Sequence, residues 1–565
     1  MKKLILISCL LVTGISYAQD QNSSAWKDDL DYLVQRIEIM HPDPYAFFPR
    51  EEFQKLKGSL YNEIPDLSDA DIAISISELL ATLQDGHTRW AFEYSDPQWL
   101  EQTFHFLPII QYPFKDGIYV LAALPQYREL VGSKITKIGN MPIVNVTSKL
   151  GKIWSHDNPY GARKFLYYTL SLAEMLKKVG SIEDVSNIDV VMQNRRNEEV
   201  KAKIATVSFM SMAGFFAGTW YPQASDGLVT MNENAKNPLP LWLKNRDKSF
   251  WFEYIPEEKM MFLQINSLDF PNGNANEEDA FSQLCKDFFE AFDQKAAEKL
   301  VIDIRMNTGG NHVELPLLKG IIARPHIDKP DKLFLITGRV TFSAAVHLTT
   351  ILKRYTNITV IGEPASGRPN HYGAKRGFRL PNHPQIEIHC SIDYYQDSDP
   401  FNFNIINAPD IWTEMTAADY LNNIDPAMGA VKDYDQIAYL VKTSVLELEQ
   451  AYTDNGIPKL KETYSLIKQP LLESGYNLEK IFIEIYDGFL SVNKKSMADL
   501  SDYLAFAVSE CPESIDLIYS LAVQLGSEER FDEAKTMYNR CIQLNSAHHY
   551  AKMELNLMEL KERNK

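Results

Sequence analysis

Cysteine is scarce in this chain. Its 565 residues include 5 cysteines, and no two are spaced as a CxxC pair, so neither a thiolate zinc site nor a redox dithiol is signalled. Long apolar runs are missing too: Leu4 to Val12 is too short to span a bilayer, and nothing later reaches that length. Positive charge is also short. The 57 lysines and arginines face 75 acidic residues, and a net charge of −18 disfavours nucleic acid and anionic lipid as partners.

What remains is an ordinary globular composition, 45% apolar, on a chain long enough for three or four domains. Met1-Lys2-Lys3, the apolar Leu4 to Val12 and the small residues of Ser16-Tyr17-Ala18 form the pattern of an export signal, with cleavage expected after Ala18. Cys9 lies too early in it for a lipoprotein site. Loss of Lys2 and Lys3 takes the net charge to −20. A periplasmic or secreted chain with no membrane segment is expected. Export would allow some of Cys285, Cys390, Cys511 and Cys541 to pair, although the last two sit in helical patterns that suit buried thiols.

From Ala25 to Gln84 the apolar spacing of Leu30, Leu33, Val34, Ile37 and Met40, broken at His41-Pro42-Asp43-Pro44, predicts a three-helix cap. Its third helix, Asp69 to about Gln84, is expected to stop at Asp85-Gly86, where glycine suits a left-handed C′ position. His87 follows. It is either a loop residue or a general base held by that turn, a task for which the unperturbed imidazole pKa is suited. Residues 104–207 look β-rich, with Ile118 to Leu121 as a strand and Gly132 to Ile143 as two strands about a Gly139-Asn140 turn. Trp251 to Tyr254 and Met260 to Asn266 read as a hairpin, and Glu278 to Lys299 as an amphipathic helix. After about Val431 the pattern is helical. Gly488 with Ala522, Leu500 with Ala534, Leu504 with Tyr538, Ala507 with Cys541 and Pro512 with Ser546 repeat at a 34-residue offset, which fits either tetratricopeptide-like units or a generic helical bundle.

Between residues 299 and 370 two buried-looking strands run into turns. Lys299 to Arg305 leads to Asn307-Thr308-Gly309-Gly310; Leu333 to Ile336 leads to Thr341-Phe342-Ser343-Ala344-Ala345 and a helix ending near Tyr355. Strands alternating with helices here argue for an α/β core. Ser343 therefore stands at a loop-to-helix junction. Its hydroxyl either caps the helix or is a nucleophile whose oxyanion is held by backbone amides at the helix start.

Six pieces in order resemble the tail-specific, or C-terminal-processing, serine peptidases, and more closely their histidine-bearing relatives, which include the tricorn core peptidase and interphotoreceptor retinoid-binding protein. They are Asp85-Gly86-His87-Thr88; Gly132 to Ile143; Asp303 to Gly310; Thr341 to Ala345; Gly362-Glu363 to Gly367; and Pro409-Asp410 through Asp425-Pro426. The resemblance spans Ala25 to Ala430. It implies a ClpP/crotonase-like α/β peptidase core at 208–430, after a signal at 1–18, a helical domain at 19–103 and a PDZ-like domain at 104–207, with a helical tetratricopeptide-like domain at 431–565. It further implies a serine endopeptidase acting on proteins or peptides without cofactor or metal, the C-terminal repeats binding a protein partner.

On this resemblance Ser343 is the nucleophile, the oxyanion hole is the N–H of Ala344 plus that of Gly309 or Gly310, and Asp303 and Arg305 are structural. The processing branch places a lysine directly after the position of Gly367. Here Arg368 stands there, and a guanidinium cannot accept the serine proton. The base is therefore expected at His87, with His347, one helical turn from Ser343, and His371 as alternatives. Arg368 is expected to meet a substrate carboxylate or pair with Glu363, and Glu363 or Asp393 to orient His87. Two other readings are a peptidase-fold binding protein without turnover, and a scaffold acting through its C-terminal repeats.

Overall fold

Met260–Ile265, Lys299–Asp303 and Leu333–Thr337 are apolar at nearly every position, the pattern of strands covered on both faces. In the computed structural model, which describes residues 2–216, 221–222, 227–269, 277–491 and 498–563, they are strands β2, β3 and β4 of a six-stranded sheet. β1 (Phe250–Ile255) pairs antiparallel with β2. From β2 onward every pairing is parallel, through β5 (Thr359–Gly362) to β6 (Ile411–Trp412). Successive side chains alternate between two cores. Leu300, Ile302, Leu333, Leu335 and Val360 pack with Phe281 and Phe288 of helix α1 (Glu277–Gln294), Leu317 of α2 (Leu315–Ile322) and Leu348 of α3 (Ala344–Tyr355). Val301, Phe334, Ile336 and Ile361 face Trp251, Ala427 and Val431 on the other side. Leu335 is wholly buried, and cutting such a side chain to alanine costs about 2–5 kcal/mol.

The C-terminal end of β3 is fixed by charge. Arg305, 8% exposed, donates Nε to both Asp303 oxygens at 3.2 and 2.9 Å and its two terminal nitrogens to the Asp425 oxygens at 2.9 and 3.0 Å. Its guanidinium also lies 5.1 Å from the Trp242 ring centre. The structural role expected of Asp303 and Arg305 thus has a third member, Asp425, from the closing motif. Asp410 of the same motif accepts the Val360 amide at 2.7 Å and so holds β5.

The chain divides into two compact units. One comprises residues 1–237, 371–395 and 416–423; the other comprises 238–370, 396–415 and 424–565. In the first, helices Lys2–Met40, Arg50–Glu63 and Asp69–Ala81 precede the His87 turn. The third helix ends at Ala81, and the left-handed residue after it is Gln84 (φ 53°), not Gly86. The Gly86 amide is instead directed to Asp157 Oδ1 at 2.6 Å. A seven-stranded sheet contains the expected Gly139-Asn140 hairpin, with Ile138 opposite Met141 and Gly139 at φ 56°. Val229–Thr230 joins it beside Gly117–Ala123, so the stretch expected to open the core at residue 208 contributes a strand to this sheet instead. Three helices, Ile143–Leu150, Pro159–Thr169 and Ala173–Lys178, interrupt the stretch read as β-rich.

In the second unit, the described residues after 433 are mostly helical, with a break at Asn455-Gly456. Ala522, Ala534 and Cys541, small positions of the 34-residue pattern, are fully buried among Leu504, Tyr503 and Tyr538. Cys285, Cys390, Cys511 and Cys541 are all unpaired thiols. No helix among the described residues is long and apolar enough to cross a membrane. Replacing Arg305 by leucine leaves Asp303 and Asp425 buried without their cation, and the expected loss is about 3–5 kcal/mol of stability. A urea melt measures it, and a loss below about 1 kcal/mol contradicts the role given to the fork.

Candidate active site

The turn after β4 brings Ser343 to the start of α3 with φ 55° and ψ −128°. A side chain pays for such a backbone, on the order of 1–3 kcal/mol, and the conformation persists only where neighbours hold it. Here the Phe342 amide donates to the Asn307 carbonyl at 3.1 Å, and the Thr341 hydroxyl bridges the Gly338 amide and the Ile304 carbonyl, both at 3.0 Å. The Ser343 side chain makes no capping hydrogen bond to the helix, so the capping alternative is not realised. Sharp strand-to-helix turns of this kind present a serine Oγ at the sheet's edge, and Ser343 is half-buried.

Gly309 and Gly310 lie against this turn. A Cβ added to Gly309, whose φ is 110°, would sit 2.6 Å from Ser343 Cβ and 3.1 Å from the Ala344 nitrogen; one at Gly310 would strike the Leu268 backbone at 2.2 Å. Only glycine permits that approach. The amide of Gly309 donates to Asn307 Oδ1 at 2.8 Å within its own turn, and that of Ala344 opens the helix. Asn307, fully buried, also donates Nδ2 to the Ile265 carbonyl at 3.1 Å.

Ser343, Ala344, Gly309, Gly310, Glu363 and Arg368 all belong to the second unit, and His87 belongs to the first. His87 is 4% exposed, on a turn organised by Asp85. Asp85 Oδ1 accepts the His87 amide at 2.9 Å and lies 3.9 Å from its Nδ1. Asp85 Oδ2 takes Thr88 at 2.5 Å, Ser391 at 2.6 Å and His41 Nε2 at 3.1 Å. His371 stacks 6.0 Å from His87, nearly parallel, and a Cβ on Gly373 would lie 3.7 Å from His87 Cε1. Burial pushes the His87 pKa down to about 3; Asp85 opposes this, while His371, Lys375 and Arg89 reinforce it. Burial alone would raise the Asp85 pKa, yet the His41 hydrogen bond, the neighbouring histidine rings and Ser391 hold it well below the usual carboxylate range. Since His87 is itself kept neutral, that hold rests on His41 and the hydroxyls.

The remaining residues fall elsewhere. Both Glu363 oxygens receive Arg339, at 2.6 and 2.8 Å, in a buried fork. Arg368 is 4% exposed, and Asp393 is exposed. His347 Nε2 meets Glu314 at 2.6 Å, and Asp397 lies 2.7 Å from Nδ1 as an ion contact out of line with the ring N–H. Although burial opposes charge there, Asp397 and Glu314 raise the His347 pKa to about 9. It is therefore protonated at neutral pH and unsuited to act as a base. Asn307, Asp85, His41 and Ser391 were missed from sequence; the paired motifs Asp85-Gly86-His87 and Asn307-Thr308-Gly309 were the available signals. A cavity of about 500 Å³ lined by Arg128, Arg195, Arg196 and Lys236 lies in the first unit, and none of the candidate residues lines it.

His87 stays neutral when folded but binds a proton near pH 6.5 when unfolded. Its folded pKa is depressed, so stability falls as pH drops from about 6.5 towards 3, by up to about 1.4 kcal/mol per pH unit from this group. Urea melts from pH 7 to pH 4 are expected to show a shallower decline in His87→Gln. An equal decline contradicts a buried, neutral His87.

No family model and no curated protein matches the chain. Among solved structures it is similar to mature CPAF, at 13% identity over 73% of this chain and 97% of that one, with a TM-score of 0.48. It is also similar to the photosystem II D1 C-terminal processing protease (14% identity, 69% and 92% coverage, TM-score 0.29) and to tricorn protease (13%, 72% and 36%, 0.32).

Proposed function

We propose that the chain is an exported serine peptidase of the tail-specific, C-terminal-processing kind, hydrolysing peptide bonds through Ser343 as nucleophile and His87 as general base. One observation carries the reading: Ser343 is held at φ 55° on a strand-to-helix turn with a glycine pressed against it. Strain of this sort persists where geometry serves chemistry. In the proposed reaction Ser343 Oγ attacks the scissile carbonyl and passes its proton to His87. The oxyanion forms between the Ala344 and Gly310 amides, in the positive field at the start of α3. The imidazolium then protonates the leaving amine, and water, deprotonated by the same histidine, releases the acyl group.

The PDZ-like and repeat regions are proposed to select or tether protein substrates, and export is proposed to place the enzyme in the periplasm or outside the cell. One observation favours a second reading, a peptidase-fold protein that binds peptides without turnover: an imidazole whose pKa is pushed down to about 3 is a weak proton acceptor. A fluorophosphonate probe separates the two. The peptidase reading expects one label per chain on Ser343, lost in Ser343→Ala, together with cleavage of unfolded protein. A folded chain that binds peptide but neither labels nor cleaves selects the binding reading.

A further inference from the structure

A second polar cluster, which includes His347 four residues after Ser343, lies apart from the proposed acyl-transfer groups. It is built by the segment after the glycine turn, which carries His312 and Glu314, and by α3, which carries His347. Val313 is buried in the core between the first two, so the His312 and Glu314 side chains can face α3 together. The ring centres of His312 and His347 are 4.2 Å apart. One potential ligand atom from each of His312, Glu314 and His347 falls within 4.8 Å of the others.

The geometry points to a divalent transition-metal site formed by His312, Glu314 and His347, with zinc(II) as the best fit. Two imidazole nitrogens and a carboxylate oxygen are a borderline donor set that suits zinc, with cobalt and nickel as substitutes. Metal–ligand bonds of about 2.0–2.2 Å place such atoms roughly 3.3 Å apart. The 2.6 Å between His347 Nε2 and Glu314 Oε1 therefore has to open by less than about 1 Å, and the imidazolium of His347 releases its Nε2 proton to solvent as the metal binds. Three protein ligands leave a fourth position for water.

Two further features point to a ligand. Glu314 is 5% exposed, and its second oxygen, Oε2, has no hydrogen-bond partner, a costly state for a buried carboxylate that a cation relieves. Behind His347, on the ring nitrogen facing away from Glu314, stands the carboxylate of Asp397 at 2.7 Å. The contact is out of line with the ring N–H as it stands, and a small rotation of the His347 ring would turn it into the N–H-to-carboxylate bond that usually supports a metal-binding histidine. An ion here ties the segment that follows Gly309-Gly310 to the helix that follows Ser343. The cysteine pattern carried no trace of the site, because its ligands are histidine and glutamate 33 residues apart.

The test is a titration of the full chain, stripped with a chelator and desalted, with zinc(II) against a chromophoric competitor, and with cobalt(II) followed by its visible absorption. One equivalent is expected to bind, with the cobalt bands of a low-coordinate nitrogen–oxygen site. His312→Ala and His347→Gln are expected to weaken binding at least tenfold, and Asp397→Asn by about 10–100-fold. His312 is exposed, so His312→Ala keeps the test valid if the His347 variant fails to fold. Absence of saturable binding in the folded wild-type chain overturns the site, as does binding that His312→Ala and Glu314→Gln leave unchanged.

Discussion

The side chain of Asn307 is the constraint on which the nucleophile turn depends. Its Nδ2 grips the Ile265 carbonyl at the end of β2, and its Oδ1 takes the Gly309 amide. Its own carbonyl receives the Phe342 amide next to Ser343. One buried residue thereby joins the ends of three neighbouring strands. Without it, the Gly309 amide and the Phe342 turn lose the partners that offset the positive φ of Ser343. The parallel sheet supplies the rigidity behind these bonds, since both its faces are packed and its strand ends cannot shift independently.

Environment also sorts the histidines, which composition treats as equals. His87 is buried beside positive groups and a carboxylate already claimed by His41, Thr88 and Ser391, so it remains neutral. His347 is flanked by Glu314 and Asp397 and is charged. The same side chain is thus neutral in one place and already protonated in the other. Proximity in sequence to Ser343 favoured His347; the carboxylates around it removed that advantage.

How far the sequence could be read follows from the range of the interactions. Strands β2, β3 and β4 were legible because two-sided burial makes their residues continuously apolar, and the Ser343 junction because a helical period begins beside it. The hairpin at Gly139-Asn140 was legible for a similarly local reason. Asn307 and Asp85 were not, since their partners lie far away in sequence: Ile265 at 42 residues, His41 at 44 and Ser391 at 306. The helix stop was misplaced because Gly86 is engaged by Asp157, 71 residues on, and Gln84 takes the left-handed position instead. The helix Pro159–Thr169 was overlooked although its local signal was present, Asn158 capping the amides of Tyr160 and Gly161 ahead of a proline at the first position.

The account stands on Asn307 holding Ser343 in a reactive geometry. The direct measurement is the rate of fluorophosphonate attachment to Ser343 in the wild-type chain and in Asn307→Ala, with circular dichroism showing both folded. The account predicts at least a tenfold slower reaction in the variant. Equal rates would contradict it.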